Sequence, residues 1–171
     1  MKAMEALIKP VLFTLMLTPG FVGLHAQDST KKKPSKEDVV KGLIQNKEYV
    51  FVAQMALPMA GGSRQLTSYY DFKVYGDTLK SDLPYYGRAF SAPIDPSKGG
   101  ITFTSTDFEY TVADRKKGGW DITITPRNNA DWRQFVLTVF TNGSTSLRAS
   151  SNNRQPISFN GYIEARPVKK K

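Results

Sequence analysis

The chain has 171 residues and a formal net charge of +9, is 40% apolar and 12% aromatic, and contains no cysteine. That length corresponds to about one domain, and the apolar share is enough to bury a core, which excludes general disorder. The single histidine, His25, lies in a segment read below as removed. A mature chain without Cys or His has no disulfide framework, thiol nucleophile, histidine triad or Cys/His zinc site.

Residues 1–26 read as a secretory signal peptide. Lys2 and Lys9 form the charged region, Val11 to Leu17 the short apolar run, and Leu24-His25-Ala26 the exit, with cleavage expected after Ala26. The run is too short for a membrane span, which needs about 20 apolar residues. No cysteine follows the cleavage point, so a lipid anchor is not expected. The charge is concentrated at the ends. Residues 27–44 hold five Lys against three acids, and residues 166–171 hold Arg166 and three Lys. The body from 45 to 165 is nearly balanced, with 13 basic and 11 acidic groups. Lys-rich ends of this kind are solvating tails, and neither a basic face nor a recognisable module argues for nucleic acid.

Residues 27–34 are a polar, Lys-rich linker. Ser35 followed by Asp38 has the spacing of a capping box, and Val39, Val40, Leu43 and Ile44 share one helical face, predicting a short helix that stops near Asn46. From Tyr49 the period changes to two. Tyr49 to Leu57 is apolar on both faces, as in a central or doubly covered strand. After a Gly-rich loop at 60–65, Tyr70, Phe72 and Val74 alternate with polar residues. Gly76-Asp77 suits a type II′ turn. Leu79, Ser81, Leu83 and Tyr85 make the next face, then Ile101, Phe103 and Ser105, then Phe108, Tyr110 and Val112. Trp120, Ile122 and Ile124 follow, then Phe135, Leu137 and Val139, ended by Asn142-Gly143. Leu147 and Ala149, then Ile157, Phe159 and Ile163, complete the series, with Gly161 marking a bend or bulge.

Eight to nine strands at short spacing leave no room for crossovers, so the sheet is expected to be antiparallel. The expected fold is mostly β: a small barrel with lipocalin-like closure or a two-sheet sandwich, with one short N-terminal helix. The expected organisation is a single β domain over 35–165 with its leading helix, followed by a basic tail over 166–171.

With Cys and His gone, catalysis would have to use carboxylates, Lys, Tyr, Ser or Thr. Asp107 and Glu109 share one strand face, and Asp121 is a further candidate. Their opposite face reads as core, which turns the carboxylates to solvent. Ser63 and Ser91 lack a nucleophile elbow, and no EF-hand loop is present. Asn142-Gly143-Ser144 fits a glycosylation sequon and equally a hairpin turn. No metal site and no cofactor is expected.

The unusual stretch is Leu83-Pro84-Tyr85-Tyr86-Gly87-Arg88-Ala89-Phe90-Ser91-Ala92-Pro93. Three rings and a guanidinium occupy a Pro-bounded loop that continues to Gly100. Long ordered loops are often functional, and Tyr and Arg combine contact area with directed hydrogen bonds. Tyr85, Tyr86, Arg88 and Phe90 are therefore the candidate binding residues. The structural alternative has the rings closing one end of a barrel, with Arg88 tying down backbone carbonyls. Trp120 and Trp132, each at a strand start, suit the same plugging role.

The runs "SDLPYYGRAFSAPIDPSKGGITFTSTDFEYTV" and "ISFNGYIE" resemble the secreted bacterial family known as domain of unknown function 4251. "GGSRQLTSYYDFKVYGDTL" and "LTVFTNGSTSLRASSNNRQPISFNGYI" are similar to it in order and spacing, so the resemblance spans residues 36–164. It implies an exported single domain and no activity, ligand or site residue. The residues favour a non-catalytic periplasmic or extracellular module that binds a small molecule or a protein partner. The alternatives are a carboxylate-dependent hydrolase or a structural component of the cell envelope.

Overall fold

The computed structural model describes residues 33–90 and 99–167. The expectations for the signal peptide, most of the linker, the loop residues 91–98 and the terminal lysines lie outside these residues.

A helix, α1 (Lys36–Asn46), is followed by β1 (Glu48–Pro58), β2 (Arg64–Tyr75), β3 (Thr78–Leu83), β4 (Ile101–Ser105), β5 (Phe108–Asp114), β6 (Trp120–Pro126), β7 (Trp132–Val139), β8 (Ser144–Ser151) and β9 (Ile157–Ala165). The capping box forms: the Asp38 N–H donates to Ser35 Oγ at 3.1 Å, and the Ser35 N–H donates to Asp38 Oδ2 at 3.1 Å. The helix ends where Lys47 turns left-handed at φ 54° and its N–H returns to the Ile44 carbonyl. Among the described residues no helix is long and apolar enough to cross a membrane.

The nine strands make one sheet in the order β4-β3-β2-β1-β9-β8-β7-β6-β5 with every pair antiparallel, a nearly closed barrel as opposed to a sandwich. The inward faces are those the alternation marks. Phe51, Phe72, Leu79, Ile101, Ile122, Ile124, Phe135, Leu137, Leu147, Phe159 and their neighbours are buried in one core. Phe135 on β7 stands 4.9 Å from Phe72 on β2 and 5.6 Å from Phe103 on β4, ring centre to ring centre. Rings from opposite walls thus meet across the axis. β1 is covered on both faces, as its composition requires. Val50 and Val52 point outward yet are buried, flanked in register by Lys73 and Asp71 on β2 and by Glu164 and Tyr162 on β9.

The closure has an origin that hairpin spacing does not reveal. β4 and β5 are the two edges of the sheet, yet only Thr106 and Asp107 separate them in the chain. They form one extended segment, paired with β3 in its first half and with β6 in its second. The junction is pinned at Ser105, whose Oγ donates to the Asp107 carbonyl at 3.0 Å and accepts the Asp107 N–H at 3.3 Å. A circuit leaving this segment at Thr102 passes Asp82, Asp71, Val52, Tyr162 and Ser144, steps to Phe140 and Gly119, and returns at Arg115. That offset along one segment expresses the tilt of strands wound into a barrel.

One irregularity sits opposite a glycine. β1 carries an extra residue between Ala53 and Met55, so inward parity passes from Ala53 to Ala56. Gly161 faces Ala53 here, and a Cβ on it would lie 1.9 Å from the Val52 carbonyl oxygen. Gly161→Ala forces the two strands apart at the centre of the sheet. The expected loss is about 3 kcal/mol of unfolding free energy, read by urea titration.

α1 closes one end of the barrel with a hydroxyl chain. The Tyr49 hydroxyl, fully buried, lies 3.3 Å from that of Tyr110, which donates to the Ile44 carbonyl at 3.3 Å. Because Tyr110 spends its proton on Ile44, Tyr49 must be the donor to Tyr110. Burial pushes Tyr49 well above the usual phenol range and Tyr110 to about 12. Unfolded tyrosines ionise near pH 10, so the unfolded state loses protons first. The contribution of this pair is fully present below about pH 10 and falls as pH rises through about 12. Thermal melts between pH 8 and 12 are expected to show a steep alkaline loss that flattens in Tyr49→Phe/Tyr110→Phe.

Candidate functional site

The opposite end is closed by the Pro-bounded segment that the sequence singles out. β3 stops at Leu83 because Pro84 has no N–H to continue the ladder, so Tyr85 leaves the strand face. Residues 84–90 cross the mouth to the β8–β9 turn. Ala89 bridges Arg154, the Phe90 N–H donates to the Asn153 carbonyl at 2.7 Å, and the Gln155 N–H donates to the Arg88 carbonyl at 3.0 Å. The segment is a lid that continues from β3 and is bonded to the turn at its far end.

The four candidates occupy different positions in this lid. Tyr85 points down: its hydroxyl lies 3.0 Å from the Arg88 carbonyl and 2.9 Å from the Gln155 carbonyl, and its ring meets Trp132 edge-on at 5.8 Å. Burial raises its phenol above the usual range, while Arg154 pulls the other way. Tyr86 is half-buried against the core, with the Arg64 guanidinium 4.9 Å above its ring. Arg88 is exposed, and its backbone rather than its guanidinium holds the lid. Phe90 is 73% exposed, the most exposed large apolar side chain among the described residues. Met59, at 68%, stands at the same end, one residue past Pro58, which pairs with Ile157.

Sequence reasoning missed Arg154. This side chain is 4% exposed and lies over Tyr85 and Trp132, 5.3 and 5.6 Å from the ring centres. It donates to the Gly99 carbonyl at 2.9 Å and to Asp131 Oδ2 at 3.3 Å. The carbonyl-tying role offered to Arg88 therefore falls to Arg154 at Gly99. The only local signal was an arginine inside the polar turn Asn152-Asn153-Arg154-Gln155, which by itself reads as solvated. Trp132 takes the plugging position at this end, and Trp120 lies at the end that α1 covers.

The carboxylates do not converge. Asp107 is exposed at the β4–β5 junction, and Glu109 is exposed on the outer face of β5. Asp121 faces outward on β6, accepting from Thr138 Oγ1 at 2.7 Å and pairing with Arg115 at 3.5 Å. Glu109 pairs with Thr125 and Asp121 with Ala113, so the two stand four positions apart along the strands, about 13 Å. That exceeds the separations at which paired carboxylates share one glycosidic bond. Among the described residues no group of three His, Cys, Asp or Glu is placed to hold a metal ion.

Removing Arg154 takes a planar cation from against two touching rings and leaves Gly99 and Asp131 without it. Arg154→Leu is expected to cost about 3 kcal/mol, and Arg154→Lys to recover little because a single ammonium cannot reproduce the fork. Arg88→Ala and Phe90→Ala are expected to stay within about 0.5 kcal/mol. Urea unfolding of the four variants checks the contrast.

The family model described as Domain of unknown function (DUF4251) matches residues 31–163. No curated protein matches the chain. Among solved structures, the crystal structure of a DUF4251 family protein from Bacteroides eggerthii is similar in fold at a TM-score of 0.54 and 14% identity, covering 76% of this chain and 87% of that one.

Proposed function

We propose a function from the premise that the chain belongs to the DUF4251 family, whose description assigns no activity: it is an exported, non-catalytic binding module that engages its ligand at the lid end. The observation that carries this reading is Phe90, a large apolar ring left 73% exposed although its own N–H is bonded to Asn153 and the Arg88 carbonyl two residues earlier is bonded to Gln155. Exposed apolar groups on a rigid support lose little conformational entropy on binding. Arg88 and Arg64, both exposed, and Met59 complete a surface that is apolar and cationic together. Its chemistry suits a ligand with an apolar part and a carboxylate or phosphate, the guanidinium gripping the anion in a fork. Tyr86 supports Arg64 from below, and Tyr85 holds the lid in place. The filled core argues for recognition on the lid and against a ligand inside the barrel.

Native mass spectrometry of protein purified from the periplasm of an expressing bacterium tests both parts. Export predicts a mature mass lacking residues 1–26. Binding predicts a reproducible adduct that is lost in Arg88→Ala and Phe90→Ala and kept in Arg148→Ala, an exposed arginine on β8. An adduct indifferent to both lid variants overturns the lid assignment, and a bare mass overturns a tightly held ligand.

A further inference from the structure

The free edge of β5 carries unpaired backbone groups whose register can be derived. The Arg127 N–H donates to the Asp107 carbonyl, and the Arg115 N–H donates to the Gly119 carbonyl. Both couples fall on the β5–β6 register, in which Phe108 faces Pro126 and Asp114 faces Trp120. In an antiparallel ladder such bonded couples alternate with unbonded ones. Positions 107, 109, 111, 113 and 115 therefore turn their N–H and C=O toward β6. Phe108, Tyr110, Val112 and Asp114 turn theirs away, to a side where the sheet has no further strand among the described residues. The edge is open: Glu109 and every residue from Thr111 to Asp114 are exposed, Val112 at 40%. A cavity of about 350 Å³ runs beside it, lined by Lys41, Ile44, Gln45, Val112, Asp114 and Trp120. The strand contains no proline, no lysine and no bulge; its charges are Glu109 and Asp114, and α1 stands across the cavity from it.

We propose that this edge pairs with the β5 edge of a second copy of the chain, antiparallel and with a two-fold axis at Thr111. The sequence FEYTVAD is self-complementary in that register. Tyr110 of one copy faces Val112 of the other, and Phe108 faces Asp114. All four outward-turned residues thereby meet outward-turned residues and exchange both backbone bonds. Between them, Thr111 faces Thr111 on the axis and Glu109 faces Ala113. No like charges oppose, and threonine pairs and aromatic–β-branched pairs are favourable cross-strand neighbours. An isologous interface of this kind closes at two copies, leaving no growing edge at β5.

The absence of cysteine allows a register-specific test. Thr111 and its symmetry mate form an unbonded couple, with Cα atoms about 4.5 Å apart, within disulfide reach. The full chain, purified as exported, carries Thr111→Cys or Ala113→Cys. Mild oxidation is expected to link the first into a covalent dimer and not the second, whose mate is displaced by four positions, about 13 Å. Sedimentation of the cysteine-free protein is expected to show a concentration-dependent dimer. Val112→Pro is expected to weaken it by ~10-fold or more while leaving the melting temperature near that of wild type, because the lost N–H turns away from β6 and has no backbone partner among the described residues. A monomer at all concentrations, equal cross-linking at 111 and 113, a dimer indifferent to Val112→Pro, or a different polypeptide occupying the edge each overturns the proposal.

Discussion

The sheet depends on one constraint: its two edges are successive halves of a single extended segment, joined through Thr106 and Asp107. A sheet whose ends are covalently continuous has to bend back on itself, and its inward faces have to fill the space so enclosed. Phe72, Phe103 and Phe135 meet across the axis because the wall carrying β4 is drawn round toward the wall carrying β7. The same continuity leaves each half of the segment with one unpaired side. On β4 that side is short, a five-residue strand. On β5 it is longer and exposed, which is why the backbone there has groups to offer.

The two ends of the barrel are sealed by different chemistry. At one end α1 brings its last carbonyls to Tyr110, and the Tyr49–Tyr110 chain satisfies polar groups that burial would otherwise leave costly. At the other end the lid lies over a buried cation, Arg154, packed against the touching rings of Tyr85 and Trp132. Both devices keep a polar group inside an apolar shell by giving it directed partners. With the core packed, the groups left to solvent at these two ends are those the lid and the β5 edge present outward, Phe90 and Val112 among them.

The candidate loop was legible as a composition and not as an arrangement. Crowded rings and an arginine between prolines marked residues 83–93 as unusual, and the lid is built from 84–90 of that stretch. Which ring turns down and which turns out depends on the carbonyls of Arg88 and Gln155, and Gln155 lies 70 residues beyond Tyr85 in the chain. Arg154 is the sharper case. Its neighbours in sequence are polar, so nothing local separates it from a solvated turn residue, and its burial follows from Tyr85 of the lid and Trp132 both arriving against it. The carboxylates behaved in the opposite way. Alternation alone put Glu109 and Asp121 on the outer faces, and they stand there.

By itself, the sequence determined the mostly-β character, the capped helix ahead of the strands, the inward set of side chains and the loss of every Cys- or His-based chemistry from residues 27–171. These are local properties: strand alternation follows from the pleat, the cap from a three-residue spacing, and the missing chemistry from composition. Only the tertiary structure decided that β4 and β5 share one segment, that Gly161 must accept the Val52 carbonyl at close range, that Arg154 is buried, and that Phe90 stays in solvent. Each of these depends on which distant strand or turn arrives beside a residue, and pairing between distant segments leaves no periodicity in the chain to read.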